Sequence, residues 1–285
     1  MRHALRLLVA ISALAAAAPA FAEGATETWR LSGLKMPESV IVDEANQRLI
    51  VGNMGTFGPD GGTDGYLSIV SMDGKLVTEK WATGLIDPKG MAIVGNTLYV
   101  VDANGLNEIS LADGKVTALH TLDGAAFPND ATTDGEAVYV SDLAGNAIYK
   151  YENGKAEVLL RDATLMAPNG LFFIRGILVV GSMGAGLKPD FTVDTKGGLQ
   201  AFDIGTKAVN GFAGATELAM VDGVDMVSDM LVFTDNPTGT LYGYQDDKTV
   251  ELAKLSPGAA DLFTHGNTVY VPLTQTGELV ALEVK

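Results

Sequence analysis

The most constraining feature of this sequence is a repeat of short β-rich runs, six of which start in the same phase. Each run is rich in Val, Leu, Ile and Tyr, is bounded by Gly, Asn and Asp, and shows almost no helical periodicity. A polar residue opens a predicted inner strand, a turn follows, and a second strand ends in a segment similar to "LYVVD". Repetition at this period indicates one structural unit used several times. The polar residues that open the units are Glu38, Lys89, Asn129, Asn169, Asp222 and Asp261.

The spacing inside the units is regular. In units two to six the opening polar residue lies 13 residues before the end of the second strand, as Lys89 does before Asp102. The first unit needs 15 residues to reach Asn53, which is consistent with a longer hairpin at 44–46. Each unit offers further strands, so six units whose openings lie 39 to 53 residues apart predict an all-β, six-bladed β-propeller with few exposed sheet edges. A sandwich or a β-helix does not explain units of this length.

The last unit is shortened, because it supplies only three strands before Lys285. The missing outer strand is predicted at 26–32, "TETWRLS". An N-terminal strand would then close the last blade and complete the ring.

The first residues are typical of an export signal. A short basic start is followed by an apolar run and by the small-x-small sequence Ala20-Phe21-Ala22. We expect residues 1–22 to be a signal peptide that is cleaved after Ala22, and residues 23–285 to form a single propeller domain in the periplasm or outside the cell. An uncleaved N-terminal anchor is the alternative. No later apolar run is long enough for a transmembrane helix, so we expect no membrane insertion after signal removal.

Composition narrows the partners and the chemistry. The chain has no cysteine, which excludes disulfides and thiolate metal sites. Its net charge of −16 becomes −18 when Arg2 and Arg6 leave with the signal. Such an acidic surface repels nucleic acid and anionic lipid, so a small-molecule substrate or ligand is the expected partner. The oligomeric state does not follow from these features.

Two long glycine-rich loops resemble each other. The segments 51–65 and 180–198 share V-G-x-M-G and a later Pro-Asp, and they follow the second strands of units one and four. In a six-bladed ring these units face each other across the axis. Because long loops in compact domains are often functional, the pair predicts a lid over the channel mouth.

The polar residues that open the inner strands should converge at that same mouth, because the first strand of each blade lines the central channel. Two carboxylates and two amides would supply an oxygen-only ligand set for one divalent cation, with waters completing the shell. Ca²⁺ is the expected ion, and Mg²⁺, Mn²⁺ and Zn²⁺ are alternatives. The alternative for Asn129, Asn169 and Asp222, each taken singly, is an ordinary turn residue, whereas Glu38 has no turn role. The proposed metal ligands are Glu38, Asn129, Asn169 and Asp222.

Three further charged residues are expected in the surroundings of this ring. Lys89 and Asp261 complete it, either by pairing in a salt bridge at the rim or, for Lys89, by contacting substrate. Asp225, in "VDGVD", is expected to point down the same channel as a support for the ligands or as a proton acceptor.

Other chemistries find little support in the sequence. Residues 23–285 contain two histidines, His120 near an outer strand and His265 in a hairpin at the opposite end of the channel. No Ser-His-Asp arrangement, G-x-S-x-G elbow or H-E-x-x-H motif is supported. Asp60 and Asp64 lack the spacing of a calcium-binding loop, so a turn in the lid is the better interpretation.

Four short motifs, "MPESV", "FPNDATTD", "APNGLFF" and "VDGVD", together resemble the SMP-30/gluconolactonase/regucalcin superfamily of six-bladed propellers. "PND" and "PNG" are also similar to paraoxonase-type lactonases and strictosidine synthase-like proteins. The likeness extends over essentially all of residues 23–285. It implies one catalytic divalent metal, often calcium, held by the residues that match the family's ligands: Glu38, Asn129, Asn169 and Asp222.

One position departs from the sugar lactonases of this family, which tend to carry an arginine where this chain has Phe127. An apolar group there fits a less polar substrate. We therefore expect a metal-dependent hydrolase of a lactone or similar ester, with Asp222 helping to take a proton and Phe127 and the lids shaping the pocket. The alternative is a non-catalytic propeller that binds a small ligand or a protein partner at the same mouth.

Overall fold

A computed structural model describes residues 24–58 and 62–285 of the chain. The predicted signal peptide at 1–22 lies outside these residues, as does Asp60 of the first lid loop. The described chain forms six antiparallel four-stranded sheets arranged as a six-bladed β-propeller, which confirms the fold predicted from the repeat.

Blades one to three each take four consecutive strands, ordered from the channel outwards as they occur in the chain. The strand β1 (Ala25–Ser32) precedes them and belongs to the last blade. Blade one contains β2 (Pro37–Asp43), β3 (Arg48–Asn53), β4 (Gly65–Ser71) and β5 (Leu76–Leu85); blade two contains β6 (Met91–Val94), β7 (Thr97–Asp102), β8 (Gly105–Ser110) and β9 (Val116–His120); blade three contains β10 (Pro128–Thr133), β11 (Val138–Asp142), β12 (Ala147–Glu152) and β13 (Lys155–Arg161).

Blade four differs because a two-stranded hairpin interrupts it after its second strand. This hairpin occupies the second predicted lid loop. Blade four contains β14 (Pro168–Ile174), β15 (Ile177–Ser182), β18 (Leu199–Asp203) and β19 (Val209–Gly211), with β16 (Gly184–Ala185) and β17 (Thr195–Lys196) forming the hairpin; blade five contains β20 (Val221–Val227), β21 (Met230–Asp235), β22 (Thr240–Gln245) and β23 (Lys248–Lys254); blade six contains β24 (Phe263–His265), β25 (Thr268–Leu273) and β26 (Glu278–Val284).

The N-terminal strand closes the ring as the shortened last unit predicted. β1 pairs antiparallel with β26, from Ala25 opposite Val284 to Ser32 opposite Glu278. The ring of Trp29 lies 5.8 Å from the ring of Tyr270, centroid to centroid, and so fastens the added strand to the blade.

The core lies between the blades and not inside any one of them. Alternating side chains of one sheet pack against those of the next, as where Ile41 and Leu67 of blade one meet Met91 and Leu98 of blade two. The second and third strands of blades one to three thereby bury both faces and read as runs of apolar residues, whereas the outer strands β5, β9 and β13 are largely exposed.

Helical structure is limited in the described residues to two short 3₁₀ turns, Glu44–Asn46 and Ala163–Leu165. The first is the longer hairpin expected in unit one. Within 24–58 and 62–285, no helix has the length and apolarity needed to cross a bilayer.

Candidate functional site

The inner strands begin with a shared irregularity that aims side chains at the channel axis. In blades one, three, four and five the register between the first and second strands shifts just after the first strand begins. Bulges of this kind re-aim side chains and are common beside active sites. Each irregularity contains one of the proposed ligands, Glu38, Asn129, Asn169 or Asp222, and the last three irregularities also contain the residue that follows the ligand, Asp130, Gly170 or Gly223.

In blades three and five, the aspartate at the end of the second strand holds the chain that enters the same blade. In blade three, the Asp142 carboxylate accepts a hydrogen bond from the Phe127 amide at 2.7 Å. In blade five, the Asp235 carboxylate accepts one from the Met220 amide at 2.9 Å. These buried acids lie at the fixed distance of 13 residues seen in the sequence, so the repeat records the bonds that position the site.

The four proposed ligands line one pocket of about 270 Å³ at this end of the channel. Lys89 and Phe127 line it as well. Each of the four is at most 8 % exposed, so the polar groups meet in a largely dehydrated space. Residues from four different blades are therefore brought together as the phase of the repeat predicted.

Three of the four are joined in a chain of hydrogen bonds. The Asn129 amide donates to Oδ1 of Asn169 at 2.5 Å, and the Asn169 amide donates to Oδ1 of Asp222 at 3.1 Å. Asn236 donates to the other oxygen, Oδ2, of Asp222 at 2.6 Å. Asn236 was missed in the sequence analysis, although its position directly after the second strand of blade five was a signal for it.

Glu38 is the exception in this network. Its Oε2 atom is buried and has no hydrogen-bond partner, the only such side-chain atom found in residues 24–58 and 62–285. Burial raises the pKa of the Glu38 carboxyl well above its ordinary value, the charge of Asp222 raises it further, and Lys89 opposes the shift. A buried carboxyl without a partner is costly, and a cation at this position would offset that cost.

Asp222 combines burial with compensating hydrogen bonds. Burial raises the pKa of its carboxyl to about 6, while the bonds from Asn236 and Asn169 act in the opposite direction. A carboxyl whose pKa is about 6 is suited to accept a proton at physiological pH.

Lys89 takes a different partner from the one expected. Its ammonium donates to the backbone oxygen of Asp87 at 2.8 Å and lies 4.9 Å from the centre of the Phe127 ring. Burial lowers the pKa of Lys89, and the neighbouring charge of Glu38 opposes this effect. Among the described residues no ion pair joins Lys89 to Asp261, so the predicted rim salt bridge is wrong.

Asp261 lies elsewhere than predicted, and Asp225 points into the channel at its other end. Both line a second cavity of about 730 Å³, around the far ends of the inner strands, together with Asp130, which the sequence analysis missed. Asp225 accepts a hydrogen bond from the Thr264 amide at 2.7 Å. Asp261 lies before β24 begins, and blade six pairs its first two strands in a different register from the other blades: Phe263 lies opposite Tyr270, and Ala259 forms an isolated bridge with Leu273. Neither acid therefore belongs to the pocket of the proposed ligands.

The rest of the pocket is lined mainly by apolar residues that the sequence repeat did not identify. Phe57 and Phe191 come from the two lid loops, and their rings lie 6.1 Å apart, centroid to centroid. The lids thus meet above the pocket. The remaining lining residues that sequence reasoning did not identify are Met36, Met54, Leu143, Met183, Gly258, Thr274 and Gln275.

The donor set fits a hard divalent cation only if the amides take part. The described residues contain no group of three or more His, Cys, Asp or Glu side chains placed to hold a metal ion. Glu38 and Asp222 would supply two negative charges, and the two asparagines would supply neutral oxygens. To turn its oxygen toward a cation in place of its nitrogen, the Asn129 amide would have to rotate. Its hydrogen bond to Asn169 would then break, because rotation of an amide exchanges the positions of its nitrogen and its oxygen.

No family model matches the chain, and no curated protein matches it. Many solved structures do. A gluconolactonase from Xanthomonas campestris aligns with a TM-score of 0.69 and 16 % identity over 89 % of this chain and 88 % of that one. A putative gluconolactonase aligns with a TM-score of 0.67 and 16 % identity, over 94 % and 93 %.

A protein of another kind shares the architecture. A chain in a nidogen–laminin complex aligns with a TM-score of 0.59 and 17 % identity, over 78 % of this chain and 81 % of that one. At these identities the likeness concerns the fold. The chain has the six-bladed propeller fold that is also found in gluconolactonases.

Proposed function

We propose that this protein is an exported, divalent-metal-dependent hydrolase of a lactone or a similar ester, with the cation at the channel mouth. The observation that carries the proposal is the unpartnered, buried Oε2 atom of Glu38 in a pocket shared with Asp222 and two asparagines. Without a cation, two buried carboxyls repel each other there. The resemblance of the motifs and the fold of the gluconolactonase neighbours support the same conclusion.

Glu38, Asn129, Asn169 and Asp222 would hold the ion, and Ca²⁺ is the one we propose because oxygen ligands with two negative charges suit it. A bound divalent cation polarises an ester carbonyl and acidifies water. We propose export on the basis of residues 1–22, with cleavage after Ala22 and delivery to the periplasm or the medium.

The chain's own groups then have separate tasks. Asp222 accepts a proton, and Asn236 and Asn169 orient its two oxygens. Lys89 adds a positive charge at the wall of the pocket, held in place by Asp87 and the Phe127 ring. The lids limit access of water to the reacting carbonyl.

The test uses metal-stripped protein and a panel of lactones and aryl esters, assayed with Ca²⁺ and with EDTA. We expect hydrolysis that EDTA abolishes and Ca²⁺ restores. Asn169→Ala and Glu38→Gln should each lower kcat/KM by about 100-fold or more and weaken Ca²⁺ binding in calorimetry, because each removes a ligand. Asn210→Ala and Glu157→Gln, at exposed positions on outer strands, are the matched controls and should change neither.

Activity that survives chelation and both ligand substitutions would refute the proposal. Ca²⁺ binding without turnover on any ester would favour the alternative, a non-catalytic propeller that binds a ligand or a partner at the same mouth.

A further inference from the structure

Three aromatic rings form a roof over the pocket, which we call the aromatic roof: Phe57, Phe127 and Phe191. The Phe191 ring lies 5.5 Å from the Phe127 ring in an edge-to-face arrangement and 6.1 Å from the Phe57 ring. These separations are within the range of favourable aromatic contacts. Phe191 is therefore the central ring, and it joins blade three to both lid loops.

The backbone holds the roof in place. Phe191 has a φ of +61°, a left-handed conformation that is unfavourable for a bulky side chain. It lies in the turn of the β16–β17 hairpin, where its amide donates to the Lys188 oxygen at 2.9 Å. On the other lid, the Gly58 amide donates to the Asp87 carboxylate at 3.1 Å, next to Phe57. A strained conformation that places an aromatic ring over a pocket indicates a role for that ring.

The walls below the roof are also apolar. Met54, Leu143 and Met183 are buried, and their amides donate to backbone oxygens of residues 36, 127 and 167 at 2.9 to 3.0 Å. Methionine side chains adapt to ligands of irregular shape. The space beside the proposed ligands is therefore enclosed by thioether, aliphatic and aromatic groups.

Outside the proposed ligands, four polar side chains line the pocket, Lys89, Asn236, Thr274 and Gln275, and the first three already donate a hydrogen bond within the protein. The ammonium of Lys89 donates to Asp87, the amide of Asn236 donates to Asp222, and the hydroxyl of Thr274 donates to the Pro37 oxygen at 2.9 Å. A polyhydroxylated ring placed here would leave several hydroxyl groups without partners. Buried hydroxyls without hydrogen bonds oppose binding.

We propose that the substrate is a lactone or ester with an apolar alkyl or aryl substituent that lies under the aromatic roof, and that polyhydroxylated sugar lactones are poor substrates. This inference rests on the proposed hydrolase function and adds the substrate class to it. Phe191 is the specificity-determining residue, because its ring contacts the other two.

Lactones with one common ring isolate the effect of the substituent. δ-Valerolactone has no substituent, δ-decalactone carries a pentyl chain, and glucono-δ-lactone carries hydroxyl groups. After subtraction of uncatalysed hydrolysis, we expect kcat/KM for δ-decalactone to exceed that for glucono-δ-lactone by on the order of 100-fold. Phe191→Ala should reduce the advantage of δ-decalactone over δ-valerolactone by about tenfold, and Phe191→Leu should retain most of it.

Phe173→Ala is the matched control, because Phe173 lines the cavity at the other end of the channel. It should leave the ratio between the two lactones unchanged. A wild-type protein that prefers glucono-δ-lactone, or a ratio that Phe191→Ala does not alter, would overturn the inference and leave the hydrolase proposal standing.

A binding measurement separates the two proposals if no lactone is hydrolysed. The lactam 6-pentyl-2-piperidone keeps the ring and the chain but resists hydrolysis, and 2-piperidone lacks the chain. Tighter calorimetric binding of the pentyl lactam, lost in Phe191→Ala, would support apolar recognition while the hydrolase proposal fails. Equal binding of the two lactams would overturn the inference.

Discussion

Asp261 shows what a buried carboxyl costs at a single position. Its pKa is raised well above its ordinary value, first by burial and then by repulsion from Asp130, Glu38, Asp222 and Asp225. The folded protein therefore retains this proton at pH values where the unfolded chain, with its ordinary pKa near 3.8, has already lost it. As pH rises through that range, the folded state loses stability relative to the unfolded state.

We predict that Asp261→Asn stabilises the protein in EDTA at pH 7.5, because the amide mimics the neutral acid. Tm should rise by roughly 2–6 °C, a change typical of 1–2 kcal/mol in a domain of this size. Near pH 3.5 the difference should be much smaller, since the acid is then mostly protonated in both states. Calorimetric melting curves at several pH values make the comparison.

Asp229→Asn provides the control, because Asp229 is exposed at the turn between β20 and β21. It should have little effect at either pH. A lower Tm for Asp261→Asn at pH 7.5 would mean that the carboxylate has a stabilising partner, and this account of Asp261 would be wrong.

At the scale of the elements, the inner strands approach each other so closely that side chains are excluded. Gly90, Gly170 and Gly223 each follow the opening polar residue of their blade, and an added Cβ would overlap the next blade in every case. At Gly170 the overlap is with the backbone oxygen of Asp222. Blade three has Asp130 at this position, and its carboxylate accepts a hydrogen bond from the Leu171 amide at 2.6 Å.

We predict that Gly170→Ala destabilises the fold by about 1–3 kcal/mol, because the methyl group must displace the neighbouring strand. It should also weaken Ca²⁺ binding, since Asn169 precedes the glycine and Asp222 lies on the displaced strand. Denaturant unfolding and calorimetry measure the two effects.

Gly205→Ala is the control for this prediction. Its added Cβ would lie 3.4 Å from a carboxylate oxygen of Asp203, an ordinary contact, and its φ does not require glycine. If both substitutions had the same small effect, the strands would have room to separate, and the close approach would not constrain the site.

At the scale of the whole molecule, the ring depends on one strand from the other end of the sequence. β1 covers the edge of β26, and Leu31 and Trp29 pack on the core between blades six and one. Without β1, that edge and the apolar surface beneath it would be exposed.

We predict that removing residues 24–32 lowers Tm by roughly 10 °C or more and makes thermal unfolding less cooperative. A synthetic peptide of residues 24–33 should restore stability in trans, because it can add to the free edge as a strand. Differential scanning calorimetry with and without the peptide measures both effects.

Two controls limit this prediction. A scrambled peptide should not restore stability, and Arg30→Ala should change Tm little, because Arg30 forms surface ion pairs with Glu27 and Glu278. A truncated chain that unfolds like the full chain would show that β1 does not stabilise the closed ring.

The sequence predicted most of the fold because each blade repeats the same local pattern. The phase of the opening polar residues predicted that Glu38, Asn129, Asn169 and Asp222 share one pocket, and the structure brings them together there. The same phase was misleading for Asp261. The repeat predicts where a strand should start, but the direction of a side chain depends on how that strand pairs locally. In blade six the inner strand begins only at Phe263, after Asp261.

Alternation of apolar residues, turn residues and a fixed spacing determined the six blades and the closing strand, because these are local properties that a repeat records six times. Which groups enclose the pocket was decided by tertiary structure. Phe57 and Phe191 lie in irregular loops of opposite blades, and no sequence period relates them. Only closure of the ring brings both side chains into one pocket with Glu38, whose buried carboxylate oxygen has no partner.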